Sequence, residues 1–104
     1  MAYIPMAEIE FDPRKNRANL QKHGIDLPTA AHIWNDVVLE REDDRRDYGE
    51  TRIVALGAIE GRVLVVVYTW RGDRRRLISA RKANTDESQI YRSTLARLAP
   101  REED

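Results

Sequence analysis

A run of apolar residues in the middle of the chain constrains the fold most. Residues 63–67 read Val-Leu-Val-Val-Val, and the turn signals Glu60-Gly61 and Arg71-Gly72-Asp73 bound this segment on either side. A strand that is apolar at every position must be covered on both faces, so it lies at the centre of a sheet. The sequence therefore predicts a sheet whose central strand is residues 62–70.

Further strands are predicted before and after this central strand. Thr51–Ile59 and Arg74–Lys82 adjoin it across tight turns, which is typical of antiparallel hairpins. Val37–Leu39 predicts a short strand that gives way to the charged stretch 40–50. Glu8–Phe11 alternates polar and apolar residues, as a half-buried strand does.

Three helices are predicted from capping residues and apolar spacing. Asp12-Pro13 starts the first helix, and Gly24 ends it. Leu27-Pro28 starts a second helix that runs to Asn35-Asp36, and Thr85 is the predicted N-cap of the third. The element order is therefore β-α-α, a four-stranded antiparallel meander and a C-terminal helix, which belongs to the α+β class.

Length and composition favour one small intracellular domain. The 104 residues fit a single domain, which we assign to 8–99, with a loose leader at 1–7 and an acidic tail at 100–104. The absence of cysteine excludes a disulfide scaffold, a cysteine–zinc site and a thiol nucleophile. Because the sequence contains neither a secretory signal nor an apolar run of about 20 residues, we expect a cytoplasmic protein that does not enter a membrane.

Charge is segregated along the chain although the formal net charge is zero. Residues 13–24 contain four basic residues and no acidic one, and residues 71–82 contain six basic residues against one acidic. Residues 40–50 are acidic, with six Asp and Glu against three Arg. A neutral chain can thus present a strongly basic face, and its fifteen arginines against three lysines suit bidentate contacts to phosphate.

Common metal and nucleophile sites do not fit the sequence. The histidines, His23 and His32, lie on separate predicted helices, and the acidic cluster 42–47 lacks the spacing of a calcium loop. No cofactor or metal is therefore predicted. An antiparallel sheet that bears arginines can still hold a phosphodiester, stabilise a pentacoordinate phosphorus and orient the neighbouring 2′-OH. The alternative is that the arginines form a solvated face, or a docking face for an acidic partner.

Several segments together resemble the BrnT family, the toxins of bacterial type II toxin-antitoxin systems. They are Phe11-Asp12-Pro13-Arg14-Lys15, Asn19 to Ile25, Glu50-Thr51-Arg52, Leu56-Gly57, Gly61-Arg62, Val65 to Tyr68, Arg71-Gly72-Asp73 and Arg76 to Ala83, followed by Glu87 and Tyr91. The resemblance covers about residues 9–92. It implies a RelE-like fold and an endoribonuclease that inhibits translation by cutting RNA.

The same resemblance implies a macromolecular partner. We expect a cognate BrnA-like antitoxin with a ribbon-helix-helix DNA-binding part, which neutralises the toxin. The toxin would then reach operator DNA only through the antitoxin. The competing interpretation is a non-catalytic basic-faced module that binds an acidic protein or nucleic acid.

The candidate site residues fall into two groups. The candidate catalytic residues are Arg52, Glu50, Arg76, Arg81, Lys82 and His23, and the candidate RNA-binding residues are Lys22, Arg71 and Tyr91.

Each of these assignments has a structural alternative. Arg52 and Glu50 can bind phosphate and accept a proton, or form an exposed salt bridge. Strict alternation puts Arg76 and Arg81 on opposite faces, unless there is a bulge near Ser79 or Arg81 lies at the strand end.

The remaining candidates divide between chemistry and packing. His23 can act as an acid or base, or satisfy the end of the first helix. Lys22 can touch RNA or simply be solvated, and Tyr91 can stack on a base or pack in the core. The aromatic residues Trp34, Tyr68 and Trp70 are interpreted as packing residues because their neighbours are apolar.

Overall fold

The computed structural model describes residues 7–44 and 49–99. Its strands are β1 (Ile9–Phe11), β2 (Leu39–Glu42), β3 (Ile53–Ile59), β4 (Arg62–Arg71) and β5 (Arg74–Lys82). Its helices are α1 (Pro13–His23), α2 (Leu27–Ala30), a 3-10 helix (Ala31–Asn35) and α3 (Thr85–Leu98). The predicted acidic tail and residues 1–6 of the predicted leader lie outside the described residues.

One mixed sheet organises the described part of the chain. Its strand order is β1-β5-β4-β3-β2. Strands β2 to β5 pair antiparallel with their neighbours in the chain, whereas β1 pairs in parallel with β5. The α+β class is therefore confirmed, and so is the central position of β4.

One face of the sheet, here called the α2 face, carries the larger core. Its fully buried residues are Leu27, Ala30, Ile33, Ala55, Val66, Tyr68, Leu77 and Ala80. Leu27, Ala30 and Ile33 recur at intervals of three, and all three are fully buried. That spacing suits a 3-10 helix, in which side chains at i and i+3 eclipse.

The predicted second helix is therefore only partly correct. It starts at Leu27, where the Asp26 side chain accepts a hydrogen bond from the Thr29 amide at 2.7 Å. After one α-helical turn it tightens into the 3-10 helix that ends at Asn35. The tighter winding keeps Ala30 and Ile33 aligned over the sheet, and Ile33 packs directly against Gly57.

The opposite face, here called the α3 face, is covered only at one end. Val54, Val63, Val65 and Ala83 pack there with Tyr91 of α3. The N-cap of α3 is Asn84 and not the predicted Thr85, because Asn84 and Glu87 form a reciprocal capping box. The other end of this face, toward the β4–β5 turn, has no helix over it among the described residues.

One strand prediction needs correction, and for β5 one of the alternatives left open, a bulge near Ser79, is confirmed. The second strand begins at Leu39 and continues through the charged residues to Glu42, instead of ending at Leu39. An edge strand needs only backbone pairing and tolerates charged residues, and here the Glu40 carboxylate also accepts a hydrogen bond from the Tyr68 hydroxyl. Alternation along β5 breaks at a bulge: Tyr68 pairs with Leu77 and Val67 pairs with Ser79, which leaves Ile78 without a partner in the ladder.

Helix α1 closes the edge of β5 beyond the short strand β1. The buried Asn19 side chain donates to the carbonyl of Ala80 at 2.8 Å and accepts from its amide at 3.0 Å. It also donates to the carbonyl of Ile25 at 2.8 Å. The predicted caps of this helix are confirmed: Asp12 accepts from the Arg14 amide, and Gly24 adopts a left-handed conformation with φ of 72°. None of the helices in residues 7–44 and 49–99 is long and apolar enough to cross a membrane.

Candidate functional site

The uncovered end of the α3 face holds a cross-strand line of polar residues. Thr69 of β4 pairs with Arg76 of β5, and Arg76 pairs in turn with Glu10 of β1. On the other side of Thr69 lies Arg52, directly before β3, where the Asp43 amide donates to the Arg52 carbonyl at 2.8 Å. We call Arg52, Thr69 and Arg76 the arginine row.

The bulge in β5 decides which arginines share this face. Arg76 pairs with Thr69 before the bulge, and Arg81 pairs with Val65 after it. Val65 and Thr69 are four positions apart on β4, so their side chains are on the same face. Arg76 and Arg81, their partners, therefore both project from the α3 face. They are four ladder positions apart, about 13 Å at roughly 3.3 Å per residue. Two arginines at that spacing suit different phosphates of one strand better than a single phosphate.

Each arginine on this face has a carboxylate within reach. Arg76 donates to Glu10 at 3.2 Å, and both side chains are about 30% exposed. Glu50 lies between two guanidinium groups, 3.7 Å from Arg52 and 3.9 Å from Arg71. These latter distances exceed normal hydrogen-bond lengths, so the contacts of Glu50 are loose ion pairs that a phosphate can displace.

Arg81 is held more firmly than the arginine row. Its two terminal nitrogens donate to the two carboxylate oxygens of Glu87, each at 2.8 Å. This bidentate pair lowers the pKa of Glu87 to about 2, with a further contribution from the Asn84 amide. Glu87 also lines a cleft of about 310 Å³ between β2 and α3, together with Arg41, Leu39 and Ile90.

Two of the candidate catalytic residues lie elsewhere. Lys82 pairs with Leu64, so its side chain is on the α2 face. There it lines a cavity of about 380 Å³ with His23, Asp26 and Arg62. The structure therefore brings His23 and Lys82 together, but not with the arginine row. Lys22 is exposed on α1, adjacent to His23.

Tyr91 takes the packing role, one of the two roles predicted for it, whereas Trp70 differs from its predicted role. Tyr91 is only 3% exposed, and its hydroxyl donates to the Val37 carbonyl at 2.8 Å. Burial raises its pKa, and its ring offers no surface to RNA in this conformation. Trp70, predicted to be a packing residue, is instead 43% exposed. Trp34 and Tyr68 do pack, in an edge-to-face pair with centroids 5.3 Å apart.

Sequence reasoning missed two members of this site. Thr69 is a polar residue in an otherwise apolar strand, and the sequence shows this directly. In the structure its hydroxyl donates to the Thr51 carbonyl at 2.7 Å. Glu10 gave no such signal, because its proximity to Arg76 depends on parallel pairing between segments far apart in the chain. Within residues 7–44 and 49–99, no group of three or more His, Cys, Asp or Glu is arranged to hold a metal ion.

Fold and site together define a small α+β protein with an arginine-lined, partly open sheet face. A family model described as the ribonuclease toxin BrnT of type II toxin-antitoxin systems matches residues 11–87. The chain therefore belongs to the BrnT family. No curated protein matches the chain significantly. As a member of a type II toxin-antitoxin family it has an antitoxin as its expected partner.

Proposed function

We propose that this protein is an endoribonuclease that binds single-stranded RNA across the α3 face and cleaves it without a metal ion. The observation that supports this most directly is the arginine row, in which Arg52, directly before β3, lies beside Thr69 of β4, and Thr69 lies beside Arg76 of β5. Guanidinium groups on either side of one residue of a rigid sheet, as Arg52 and Arg76 are of Thr69, are preorganised donors for the charge that develops on phosphorus.

The proposed reaction is attack of a ribose 2′-oxygen on the adjacent phosphorus. The bond between phosphorus and the 5′-oxygen breaks, so that the products are a 2′,3′-cyclic phosphate and a 5′-hydroxyl. Arg52 and Arg76 bind the non-bridging oxygens and stabilise the pentacoordinate transition state. Glu50 accepts the proton of the 2′-OH, and solvent supplies the proton that the departing oxygen takes up.

Arg71 and Arg81 extend the phosphate-binding surface to either side of the row. Arg71 shares Glu50 with Arg52, and Arg81 lies further along β5 on the same face. His23, Lys82 and Lys22 are not part of this arrangement, because His23 and Lys82 line the cavity on the α2 face. We therefore assign catalysis to Glu50, Arg52 and Arg76, with Arg81 and Arg71 as RNA contacts.

The biological role we propose follows from the family. Cleavage of messenger RNA in the cytoplasm inhibits translation, and a BrnA-like antitoxin with a ribbon-helix-helix part neutralises the toxin and links it to operator DNA. We also propose that the fold is RelE-like, with β2 to β5 as its antiparallel meander. The family match supports these proposals through its type II toxin-antitoxin class.

The proposal is tested by cleavage of an end-labelled RNA in the presence of a chelator. Purified wild-type protein is compared with Arg76→Ala and with Arg97→Ala, which removes the same charge from the exposed last turn of α3. We expect cuts that end in cyclic phosphate from wild type and Arg97→Ala, and a loss of about 100-fold or more from Arg76→Ala. Thermal melts show whether the variants are folded.

Three other results have distinct meanings. Equal cleavage by wild type and Arg76→Ala contradicts the assignment of the site. Cleavage that the chelator abolishes contradicts the metal-free reaction. RNA binding without cleavage, both on free RNA and in a translating extract, identifies the non-catalytic binding module instead.

A further inference from the structure

Trp70 is exposed although it lies at the end of the most buried strand. Its register partner is Arg75, and the two side chains stand on the α2 face next to the β4–β5 turn. An isolated exposed tryptophan is common on protein surfaces. This one differs because its neighbours hold the indole in a fixed orientation while 43% of the residue stays accessible.

The indole is held from two sides. The Tyr68 ring lies edge-on to it, with centroids 5.6 Å apart and an interplanar angle of 84°. The Arg75 guanidinium lies over the indole, with its carbon 4.9 Å from the ring centroid. An aromatic ring fixed in this way loses little conformational entropy when a ligand stacks on it.

The supporting residues are themselves immobilised. Tyr68 is 1% exposed, and its hydroxyl donates to the carboxylate of Glu40. Burial and this hydrogen bond raise the pKa of Tyr68 to about 12, so the donor persists at neutral pH. Arg75 also stacks on Trp34, at 4.4 Å from its ring centroid.

This arrangement leaves hydrogen bonds unmade. The buried Nε of Arg75 and the buried Nε1 of Trp34 have no hydrogen-bond partner among the described residues. Buried donors without partners are costly, and where they persist in a native structure they call for an explanation. Here the Arg75 guanidinium lies over the rings of Trp34, Tyr68 and Trp70, and no carboxylate of the described residues forms an ion pair with it.

The position of Trp70 links it to the arginine row. It directly follows Thr69, the central residue of the row, and directly precedes Arg71. Arg71 and Arg74 are exposed and flank the turn at Gly72-Asp73. Because consecutive strand residues point to opposite faces, the row lies on the α3 face and the indole on the α2 face, and a strand of RNA that contacts both has to bend around the β4–β5 turn.

We propose that the exposed side of the Trp70 indole is a stacking site for one nucleobase of the single-stranded RNA whose phosphates lie on the arginine row. The inference rests on the proposed ribonuclease function and adds a base-binding subsite to it. A single aromatic platform with a cationic rim is the composition of surfaces that bind single-stranded nucleic acids. A protein-docking surface would more typically be a contiguous apolar patch, and none of the other large exposed apolar residues of the described chain lies on β4 or β5.

The test uses a single-stranded oligonucleotide without 2′-hydroxyls, which the enzyme cannot cleave, and measures its affinity over a range of salt concentrations. We expect Trp70→Ala to weaken binding about 5- to 150-fold without changing the salt dependence, because it removes stacking and no phosphate contact. Arg76→Ala should instead reduce the slope of log K against log salt by about 0.7. Trp70→Phe should retain most of the affinity because it keeps an aromatic face.

A second series of oligonucleotides, each with one abasic nucleotide, makes the test specific. For the oligonucleotide that lacks the base bound by Trp70, the wild type should bind more weakly than it binds the intact oligonucleotide. Trp70→Ala should bind these two oligonucleotides equally. Trp70→Leu keeps an apolar side chain against Tyr68 but has no π face, so it should behave like Trp70→Ala. Thermal melts of all variants separate lost stacking from lost structure.

Several outcomes would overturn the inference. If wild type binds and cleaves RNA while Trp70→Ala and Trp70→Leu bind equally well, the stacking site is wrong and the proposed function stands. If the Trp70 variants lose only antitoxin binding, the indole is a protein-docking residue. If wild type binds none of the oligonucleotides and cleaves no RNA, the proposed function fails together with the stacking site.

Discussion

At the scale of single residues, Glu87 combines three tasks at the start of α3. Its carboxylate accepts from the Asn84 amide at 2.9 Å, its own amide donates to the Asn84 side chain at 2.8 Å, and it pairs in bidentate fashion with Arg81. The helix cap and the orientation of Arg81 on the α3 face therefore depend on one ionised side chain.

Glu87→Gln tests the charge of this residue separately from the cap. Glutamine can still accept from the Asn84 amide, so the loss should be about 1 kcal/mol at pH 7, because Arg81 is 43% exposed. The pKa of Glu87 falls from 4.5 to about 2 on folding. A carboxylate whose pKa is depressed in the folded state stabilises it above the unfolded pKa.

The difference between wild type and Glu87→Gln should therefore be complete above about pH 4.5 and shrink as the pH falls toward 2. Urea unfolding at a series of pH values measures it. A difference that does not change with pH would mean that the charge of Glu87 contributes nothing and only its geometry matters.

At the scale of secondary-structure elements, the outer edge of β5 is closed by two different structures. Strand β1 covers residues 75–77 of β5 in parallel, and the Asn19 side chain covers Ala80 further along the same edge. On the α2 face the 3-10 helix comes so close to β3 that Gly57 has no room for a side chain. Strand β1 and Asn19 hold the bulged strand β5, which positions Arg76 and Arg81.

Asn19→Ala should destabilise the protein by about 2 to 4 kcal/mol, because it leaves the buried amide and carbonyl of Ala80 without partners. Gln21→Ala, an exposed change on the same helix, should stay within about 0.5 kcal/mol. Urea unfolding compares the two. Similar small losses in both variants would show that water replaces the Asn19 side chain at the edge of β5.

Gly57→Ala should cost about 1 to 3 kcal/mol by overpacking, since an added Cβ would lie 2.5 Å from the Cβ of Ile33. The closest atom is a Cβ that alanine also has, so Ile33→Ala should not rescue the variant. Thermal unfolding of the single and double variants measures this. A double variant as stable as Ile33→Ala alone would mean that the 3-10 helix can move away from β3.

At the scale of the whole molecule, the sheet separates two groups of basic residues. Arg52, Arg76 and Arg81 project from the α3 face, whereas Lys82 and His23 meet at the cavity on the α2 face. Arg81 and Lys82 are neighbours in the chain but lie on opposite sides of the sheet. A protein without net charge thus places Arg52, Arg76 and Arg81 together on the face opposite the α2 cavity.

This separation makes Arg81→Ala and Lys82→Ala a matched pair. Each removes one positive charge from the same end of β5, so any effect of total charge is shared. We expect RNA cleavage to fall about tenfold or more in Arg81→Ala, which loses a phosphate contact, and to stay within about twofold in Lys82→Ala. Equal losses would point to total charge, and a larger loss in Lys82→Ala would move the site to the cavity with His23.

Local patterns in the sequence predicted most elements because they depend on neighbouring residues. The continuous apolar run identified β4 as the central strand, Asp12 and Gly24 marked the ends of α1, and Gly72 marked the β4–β5 turn. The same patterns failed where the backbone departed from a regular period. Residues 40–42 of the edge strand β2 are charged and carry no apolar signal, and the second helix tightens to a 3-10 form over the sheet.

The sequence by itself determined the α+β class, the element order and the family, because hydrophobic period, caps and motifs are written in consecutive residues. The tertiary structure decided which arginines share a surface. One unpaired residue, Ile78, reverses the alternation of β5 and brings Arg81 to the face of Arg76. The tertiary structure also placed Glu10 beside Arg76 and Trp70 against Arg75. Pairing between strands depends on the packing of the whole sheet and not on any local pattern.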